Sequence, residues 1–235
     1  MTDAVFRLRA PAKINLALEV LGRRDDGFHE IATVMTTLSL ADRVTLRPAE
    51  ALRVELSGEF ARGIYPETDL SGQAARALAE AAGRRPDVLI EVVKRIPSPG
   101  GLGGGSSDAA AVLRGLNVLW DLDWSPERLA EVGATIGSDV PFFVHGGTAH
   151  CTGRGEIVEP LRDLREAKLL ILLPPVPASA NKTASLYGSL HDHDFTDGHR
   201  TQRLAHRIAR NAPPPTNDLI NAFESVAVSY THLRA

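Results

Sequence analysis

The sequence predicts a fold that mixes β-strands with α-helices. Polar and apolar side chains alternate through residues 5–20, which is the period of half-buried strands, and residues 34–40 and 42–48 look like further short strands. Residues 71–82 are almost all strong helix formers, and residues 88–96 alternate again before a glycine-rich loop and a second apolar helix pattern. The first part of the chain therefore reads as strands, a helix, a strand, a loop and a helix.

Composition limits the possible partners and location. The chain has 235 residues, 43% of them hydrophobic, which is enough for a sizeable core. A formal net charge of -3 gives no general attraction to nucleic acid or an anionic membrane, so we expect neither as a partner. The single cysteine, Cys151, excludes an internal disulfide and is not expected to be a nucleophile. With no signal segment or membrane span in the sequence, we expect a cytoplasmic protein.

The N-terminal strands carry the first candidate residues. We predict strands over residues 6–9 and 14–21, separated by a break at Pro11, and over 34–40, 42–48 and 52–56. Lys13 and Asn15 are two residues apart in a strand, so they point to the same face. Lys13 could instead be a solvated lysine on an edge strand.

The turn over residues 21–30 ends in Phe28 and His29. An aromatic ring beside a histidine can stack on a planar ligand and hydrogen-bond to it. The same pair could also simply anchor the loop, and the residues alone leave both interpretations open.

Helix signals are strong in the middle of the chain. Ser71 is the expected N-cap of the first helix and Gly83 its end. The second helix is predicted over residues 107–120. Ser125-Pro126-Glu127 opens a third as cap, proline and first-turn acid, and Gly137 closes it.

The loop before the second helix has five glycines in positions 100–105 and leads into Ser106-Ser107-Asp108. Glycines let backbone N–H groups converge, and a helix start adds unpaired donors, so the loop favours an anion such as phosphate. It lacks the Lys-Ser/Thr of a Walker A loop, and Ser106 occupies the last glycine position of the dinucleotide fingerprint. A glycine linker between domains is the alternative.

Asp139 lies among glycine, proline and two phenylalanines, which predicts a partly desolvated carboxylate. An N-cap for a short helix is the competing interpretation. A hairpin is predicted from residues 148–152 and 155–161 around Gly153-Arg154-Gly155.

The character of the sequence changes near Pro160, where we predict a second domain. Residues 168–173 read as a buried strand, and a further helix is expected from Asn217. Residues 191–199 contain three histidines and three aspartates. Their spacing is not that of a known metal motif, so a polar surface loop is favoured over a dedicated metal site.

Three of these motifs together resemble the GHMP kinases: residues 11–16, the glycine loop with Ser106-Ser107-Asp108, and Gly137-Ser138-Asp139-Val140-Pro141. Residues 26–30 make the chain most similar to the member of that family in the non-mevalonate isoprenoid pathway. The resemblance implies transfer of the ATP γ-phosphoryl group to the C2 hydroxyl of a cytidine diphosphate-linked methylerythritol. It implies that Asp139 accepts the hydroxyl proton and that Lys13 keeps Asp139 ionised.

The resemblance also implies the ligand contacts. Asn15 would contact the substrate diphosphate or erythritol, and Phe28 and His29 would hold the cytosine. Mg²⁺ would accompany ATP, with Ser106 or Ser107 available to it. The residues expected to cradle the ATP phosphates are Pro99, Gly100, Gly101, Leu102, Gly103, Gly104, Gly105, Ser106 and Ser107.

The implied fold is α+β and two-lobed. Residues 1–160 would form a ribosomal-protein-like ATP-binding domain, and residues 161–235 an incomplete ferredoxin-like C-terminal domain. The chain reaches Ala235 without the family's second glycine-serine loop, so we expect either a C-terminal truncation or a tail of foreign sequence over residues 228–235. Another GHMP small-molecule kinase, or a nucleotide-binding fragment without catalytic competence, remains the alternative function.

Overall fold

A computed structural model describes residues 5–98, 100–164, 167–173, 182–212, 215–224 and 226. Contacts divide the chain into two compact units. The first consists of Met1–Ile14 and Thr37–Gly146, and the second of Asn15–Thr36 and Gly147–Ala235. The first two strands therefore contribute residues to both units, and each unit is described by itself below.

Four strands build the sheet of the first unit. They are β1 (Phe6–Arg23), β2 (His29–Pro48), β3 (Arg53–Ser57) and β4 (Val88–Val93). Their order is β3-β4-β2-β1, with β4 antiparallel to β2 and parallel to β3. Val88, Ile90 and Val92 alternate toward the core, as the predicted strand pattern requires.

The predicted break of the first strand at Pro11 is wrong, because β1 is continuous. The N–H of Lys13 donates to Leu102 O at 2.9 Å. The edge of β1 that carries this N–H therefore faces the glycine loop rather than another strand. Pro11 lies two residues earlier on the same side, where its missing N–H costs no ladder bond.

The second predicted break, between residues 40 and 42, is also wrong, because β2 runs through it. The polar residue that interrupts the apolar pattern there is Asp42, which is buried and accepts the backbone N–H of Ile96 at 2.8 Å. A polar side chain that is satisfied in this way can occupy a strand interior.

The described part of the first unit also contains four helices: α1 (Leu70–Ala81), α2 (Gly104–Leu119), α3 (Pro126–Ala134) and α4 (Val140–His145). Ser125 caps α3 as predicted. The N-cap of α1 is Asp69 rather than Ser71, since the Asp69 carboxylate accepts the Ser71 N–H at 2.9 Å. Helix α3 ends at Ala134, before the predicted Gly137.

Helix α2 lies at the centre of the first unit and packs against α1 and α4. Gly115 lets α2 also pack closely on the sheet, because a Cβ there would lie 2.5 Å from Leu46 Cδ1 on β2. The buried side chains of α2 include Ala109, Ala110, Ala111, Val112, Leu113 and Leu116.

In the second unit, β5 (Thr148–Thr152) and β6 (Ile157–Leu161) form the predicted hairpin, and β7 (Ile220–Asn221) runs parallel to β1. The strand order in this unit is β7-β1-β2-β5-β6. Its helices are α5 (Lys182–Gly188) and α6 (His199–Ala209). Leu204, Ala205 and Ile208 on α6 pack against Ala17 and Val34.

Two predictions for the second unit are wrong. Residues 168–173 are exposed and irregular rather than a buried strand, and Leu170 has 84% of its surface accessible. Within the described residues no strand pairs with them, so the apolar run has no ladder to join. The helix predicted from Asn217 is instead a 3₁₀ turn followed by β7, where Ala222 N–H donates to Leu18 O at 2.9 Å.

The contact-defined units differ from the predicted division after residue 160, which stays a prediction. Residues 228–235, for which foreign sequence is one of the two expectations, lie outside the described residues. Among the residues that are described, no helix is long and apolar enough to cross a membrane.

Candidate active site

The glycine loop joins β4 to α2 in the first unit. Helix α2 begins at Gly104, three residues before the predicted start, with Gly103 in the left-handed conformation at φ 72°. A Cβ on Gly103 would lie 2.7 Å from Phe143 Cζ and 3.0 Å from Lys13 Cγ. Only glycine fits this position, because both the backbone angle and the close neighbours exclude a side chain.

The start of α2 offers an anion several donors. The first N–H groups of a helix have no intrahelical partner, and here they belong to Gly104, Gly105 and Ser106. The helix dipole adds positive potential at the same end. Pro99, which was predicted to take part in this loop, lies outside the described residues.

The two loop serines differ in their surroundings. Ser106 is half-buried, and its Oγ lies 3.7 Å from the position of a Cβ on Gly137. Ser107 is buried, and among the described residues its Oγ has no hydrogen-bond partner. An unsatisfied buried hydroxyl at the start of a helix is a feature that a bound phosphate or its metal ion can satisfy.

Lys13 and Asp139 meet beside this loop. Lys13 Nζ lies 3.5 Å from Asp139 Oδ2, and the side chains are 9% and 33% exposed respectively. Lys13 is thus not the solvated edge residue of the alternative interpretation. Asp139 occupies the N-cap position of α4 but makes no capping hydrogen bond, so its carboxylate is oriented toward Lys13 instead.

A second charged cluster, which we call the buried triad, consists of Asp42, Lys94 and Asp108. Lys94 Nζ contacts carboxylate oxygens of both aspartates, at 2.5 Å in the case of Asp108. All three side chains are almost fully buried. Burial raises the pKa of Asp108 to about 8, with the nearby charge of Asp42 adding to the rise and that of Lys94 opposing it.

The buried triad connects both ends of the glycine loop. Asp42 accepts the N–H groups of Arg95 and Ile96, which lead into the loop, while Asp108 belongs to the helix that follows it. Asp108 Oδ1 has no hydrogen-bond partner among the described residues. Sequence reasoning missed this cluster because its members are 14 and 52 residues apart along the chain.

The second unit holds the other predicted residues. Phe28 is 49% exposed, and the guanidinium of Arg154 lies 4.6 Å above its ring centroid. Arg24 pairs with Asp26 and Glu30, which fixes the turn that presents Phe28. Such a cation over a ring stabilises the ring's position by an attraction of about 1 kcal/mol.

His29 lies in an aromatic group. Its ring stacks on Tyr187 at 4.9 Å and meets the edge of Phe195 at 6.1 Å. Burial, and then the charge of Arg23, lowers the pKa of His29, which favours the neutral ring. Its Nε2 is buried and has no hydrogen-bond partner among the described residues. Neither Tyr187 nor Arg154 was predicted, because each is distant in sequence from the turn.

Asn15 also belongs to the second unit. Its Nδ2 donates to Thr33 Oγ1 at 2.8 Å, and that hydroxyl donates to Ala17 O at 2.7 Å. The amide plane of Asn15 is therefore held by the neighbouring strand.

Comparison with known proteins identifies the family. Residues 69–147 match the family model described as GHMP kinases N terminal domain. The 4-diphosphocytidyl-2-C-methyl-D-erythritol kinase of Dehalococcoides mccartyi is 42% identical over 223 residues, which cover 95% of this chain and 77% of the relative. The chain belongs to the 4-diphosphocytidyl-2-C-methyl-D-erythritol kinase family. The predicted resemblance to GHMP kinases is confirmed.

Further members of this kinase family support the assignment. The kinase of Rhodococcus jostii is 54% identical over 155 residues, covering 66% of this chain and 50% of the relative. A crystal structure of 4-(cytidine 5'-diphospho)-2C-methyl-D-erythritol kinase superposes with a TM-score of 0.72 at 34% identity, covering 96% of this chain and 78% of that one. Homoserine kinase from Cytophaga hutchinsonii has the same fold, with a TM-score of 0.63 at 14% identity and the same two coverages, 96% and 78%.

These matches confirm the predicted α+β GHMP kinase fold. As a member of this kinase family, the chain is an enzyme that uses ATP and acts on a small molecule.

Proposed function

We propose that the chain transfers the γ-phosphoryl group of ATP to the C2 hydroxyl of 4-diphosphocytidyl-2-C-methyl-D-erythritol, a step of non-mevalonate isoprenoid biosynthesis. The observation that carries this proposal is the Lys13–Asp139 pair, 3.5 Å apart. The Lys13 side chain lies against Gly103, the N-cap residue of α2. An ammonium, a carboxylate and an anion-binding loop in contact are the groups that phosphoryl transfer to an alcohol requires.

In this proposal the glycine loop binds the ATP phosphates through its backbone. The N–H groups of Gly104, Gly105 and Ser106 point out of the helix start, and the dipole of α2 favours a negative charge there. The residues assigned to this role are Pro99, Gly100, Gly101, Leu102, Gly103, Gly104, Gly105, Ser106 and Ser107.

Mg²⁺ bound with ATP would use a serine hydroxyl of the loop. The residues present fit this role: Ser107 Oγ is buried without a hydrogen-bond partner among the described residues, and Ser106 is half-buried near Gly137. Ser106 or Ser107 would therefore make the contact, since Ser107 has the unsatisfied hydroxyl and Ser106 is the more accessible residue. When bound, the ion supplies positive charge that offsets the charge on the phosphate oxygens.

Asp139 is the proposed catalytic base. The substrate hydroxyl oxygen forms a bond to the γ-phosphorus, the bond from that phosphorus to the bridging oxygen of ADP breaks, and the hydroxyl proton passes to Asp139. Lys13 holds the carboxylate in position through its ion pair and donates to the attacking oxygen. Both actions lower the barrier through positioning and charge stabilisation.

Phe28, His29 and Asn15 are the proposed contacts to the cytidylated alcohol. Phe28 presents an exposed ring for stacking, and the buried Nε2 of His29 is a hydrogen-bonding group without a partner among the described residues. A nucleobase supplies both a flat face and polar edges, so it matches this pair of side chains. Asn15, held by Thr33, would contact the diphosphate or the erythritol.

We also propose the remaining properties that the family resemblance and the composition imply. Residues 1–160 would correspond to the N-terminal domain of the family and residues 161–235 to its C-terminal domain. The enzyme would act in the cytoplasm without a nucleic-acid or membrane partner, consistent with its net charge of -3.

The test is a comparison of two acceptors with ATP as the donor. We expect kcat/KM for the cytidylated methylerythritol to exceed that for methylerythritol 4-phosphate by at least about a thousandfold, because binding energy from the remote base contributes to catalysis. Equal rates with both acceptors would favour another GHMP small-molecule kinase. ATP binding without transfer to either would favour a nucleotide-binding fragment.

A further inference from the structure

The structure brings three potential metal ligands together in a segment that the kinase reaction does not use. His191, His193 and Asp194 lie in the second unit, on the 3₁₀ turn Asp192–Asp194 and at its N-cap. One ligand atom from each residue lies within 4.8 Å of the other two. We propose that these three side chains form a binding site for a divalent transition-metal ion such as Zn²⁺.

The distances suit a shared ion. His191 Nδ1 lies 3.9 Å from Asp194 Oδ2, and His193 Nε2 lies 3.7 Å from the same oxygen. Two ligands of a tetrahedral ion with bonds of about 2.1 Å are about 3.4 Å apart. Side-chain rotations close that gap, and the imidazole side chains are 73% and 79% exposed, which leaves them room to move.

The backbone around the segment is anchored on both sides. Leu190 is fully buried, and Phe195 packs against the same apolar cluster. Arg23 donates to Leu190 O at 3.1 Å, and Thr196 N–H donates to Val20 O at 3.0 Å. The four residues between these anchors therefore have little conformational entropy left to lose when an ion binds.

The turn itself orients two of the ligands. The N–H of His191 donates to Asp194 Oδ2 at 2.9 Å, and the His191 ring accepts the Asp194 N–H in a reciprocal cap. A metal ion would take the lone pair of that ring nitrogen. The Asp194 N–H keeps its other acceptor, His191 O at 2.8 Å, so the exchange leaves no buried donor unpaired.

The ligand set selects the class of ion. Two imidazoles and one carboxylate match Zn²⁺, Ni²⁺ or Cu²⁺, whereas Mg²⁺ prefers oxygen ligands alone. Three protein ligands leave a fourth position for water. The centroids of the two imidazole rings lie 5.5 Å apart, so a rotation of the rings out of their stacked arrangement would turn both ligand nitrogens toward one ion.

The test is an isothermal calorimetric titration of the tag-free chain with ZnCl₂ in the absence of nucleotide. We expect one tight zinc equivalent in the unaltered chain. Replacing both ligands, His191→Asn with His193→Asn, should weaken binding at least about tenfold, since even indirect ligand partners contribute that much. Asn at position 191 keeps an N-cap acceptor, so the turn should remain folded.

The matched control is His206→Asn, which alters an exposed histidine of the same unit on α6. It should bind zinc like the unaltered chain. Either of two results would overturn the proposal: no zinc equivalent binds to the unaltered chain, or the double variant binds zinc with unchanged affinity. A circular dichroism spectrum identical to that of the unaltered chain ensures that the double variant is compared in its folded state.

Discussion

The two units hold their candidate ligand-binding residues by different physical means. In the first unit the charges are buried: Lys94, Asp42 and Asp108 form a closed ionic cluster, and Lys13 is almost inaccessible beside Asp139. In the second unit the rings of Phe28 and His29 are partly exposed, and they are held by stacking and by Arg154. Buried charges have one favourable arrangement, whereas stacked rings tolerate small shifts.

This difference fits the two kinds of ligand proposed for them. A phosphoryl group must be held within a fraction of an ångström of its acceptor, which a glycine backbone and buried ion pairs can ensure. A nucleobase contributes mainly affinity, for which aromatic contact area is sufficient. We therefore expect large effects on rate and stability from changes in the first unit and moderate effects on substrate affinity from changes in the second.

The largest effect is expected from Asp139→Asn. The amide keeps the shape of the carboxylate but cannot accept the proton, so kcat should fall by about a thousandfold while the Kd for ATP changes little. Steady-state kinetics and equilibrium binding measure the two quantities. Asp123→Asn, an exposed control in the same unit, should leave both unchanged. A loss of ATP affinity as large as the loss of rate would contradict the assignment.

Lys94→Met should produce the largest loss of stability. Removing the ammonium leaves the carboxylate of Asp42 and the carboxyl group of Asp108 buried without their shared cation, at a cost of about 3 kcal/mol in the free energy of unfolding. Urea denaturation measures this quantity. Lys168→Met changes an exposed lysine and should cost almost nothing. If the two variants unfold at the same urea concentration, the buried triad does not stabilise the fold.

Asp108→Asn should change the pH dependence of stability. With a folded-state pKa of about 8, Asp108 holds a proton between about pH 4 and pH 8 that the unfolded chain has already released. Its contribution to stability is therefore full below about pH 4 and is lost as the pH rises through about 8.

The asparagine side chain does not titrate. The free energy of unfolding of the variant minus that of the unaltered chain should therefore rise with pH. The slope should approach 1 kcal/mol per pH unit between about pH 5 and pH 8. Asp123→Asn, which alters an exposed aspartate of the same unit, serves again as the control. A difference for Asp108→Asn that does not change with pH would contradict the raised pKa of Asp108.

The smallest effect is expected from Phe28→Ala. Losing the stacking surface should raise KM for the cytidylated substrate by roughly 3- to 10-fold, the equivalent of one aromatic contact. KM for ATP should stay the same. The control Tyr65→Ala removes another exposed ring and should leave KM for the cytidylated substrate and KM for ATP unchanged. Equal increases in both constants for Phe28→Ala would remove the distinction between the two units.

Local signals in the sequence were enough to predict the first unit closely. The period of β4, the glycines at 100–105 and the Ser125 cap act over a few residues, and the structure bears out each element. The continuity of β1 through Pro11 could not be predicted, because it depends on the contact of Lys13 with Leu102, 89 residues later in the chain.

The second unit shows where such reasoning fails. The apolar run 168–173 predicts a strand only if a partner strand is available, and neither its composition nor its period carries that information. The contact between His29 and Tyr187 likewise depends on tertiary packing. The Lys13–Asp139 geometry agrees with the pairing that the family motifs imply, while the catalytic roles of the two residues remain a proposal.

The most direct measurement is ³¹P NMR of the chain incubated with ATP, Mg²⁺ and the cytidylated methylerythritol. The account predicts a new phosphomonoester resonance on the methylerythritol unit that grows in step with ADP, and that neither signal appears above background with Asp139→Asn. Formation of inorganic phosphate and ADP without the monoester, or an equal rate of monoester formation in the variant, would contradict the proposed transfer and the role of Asp139 in it.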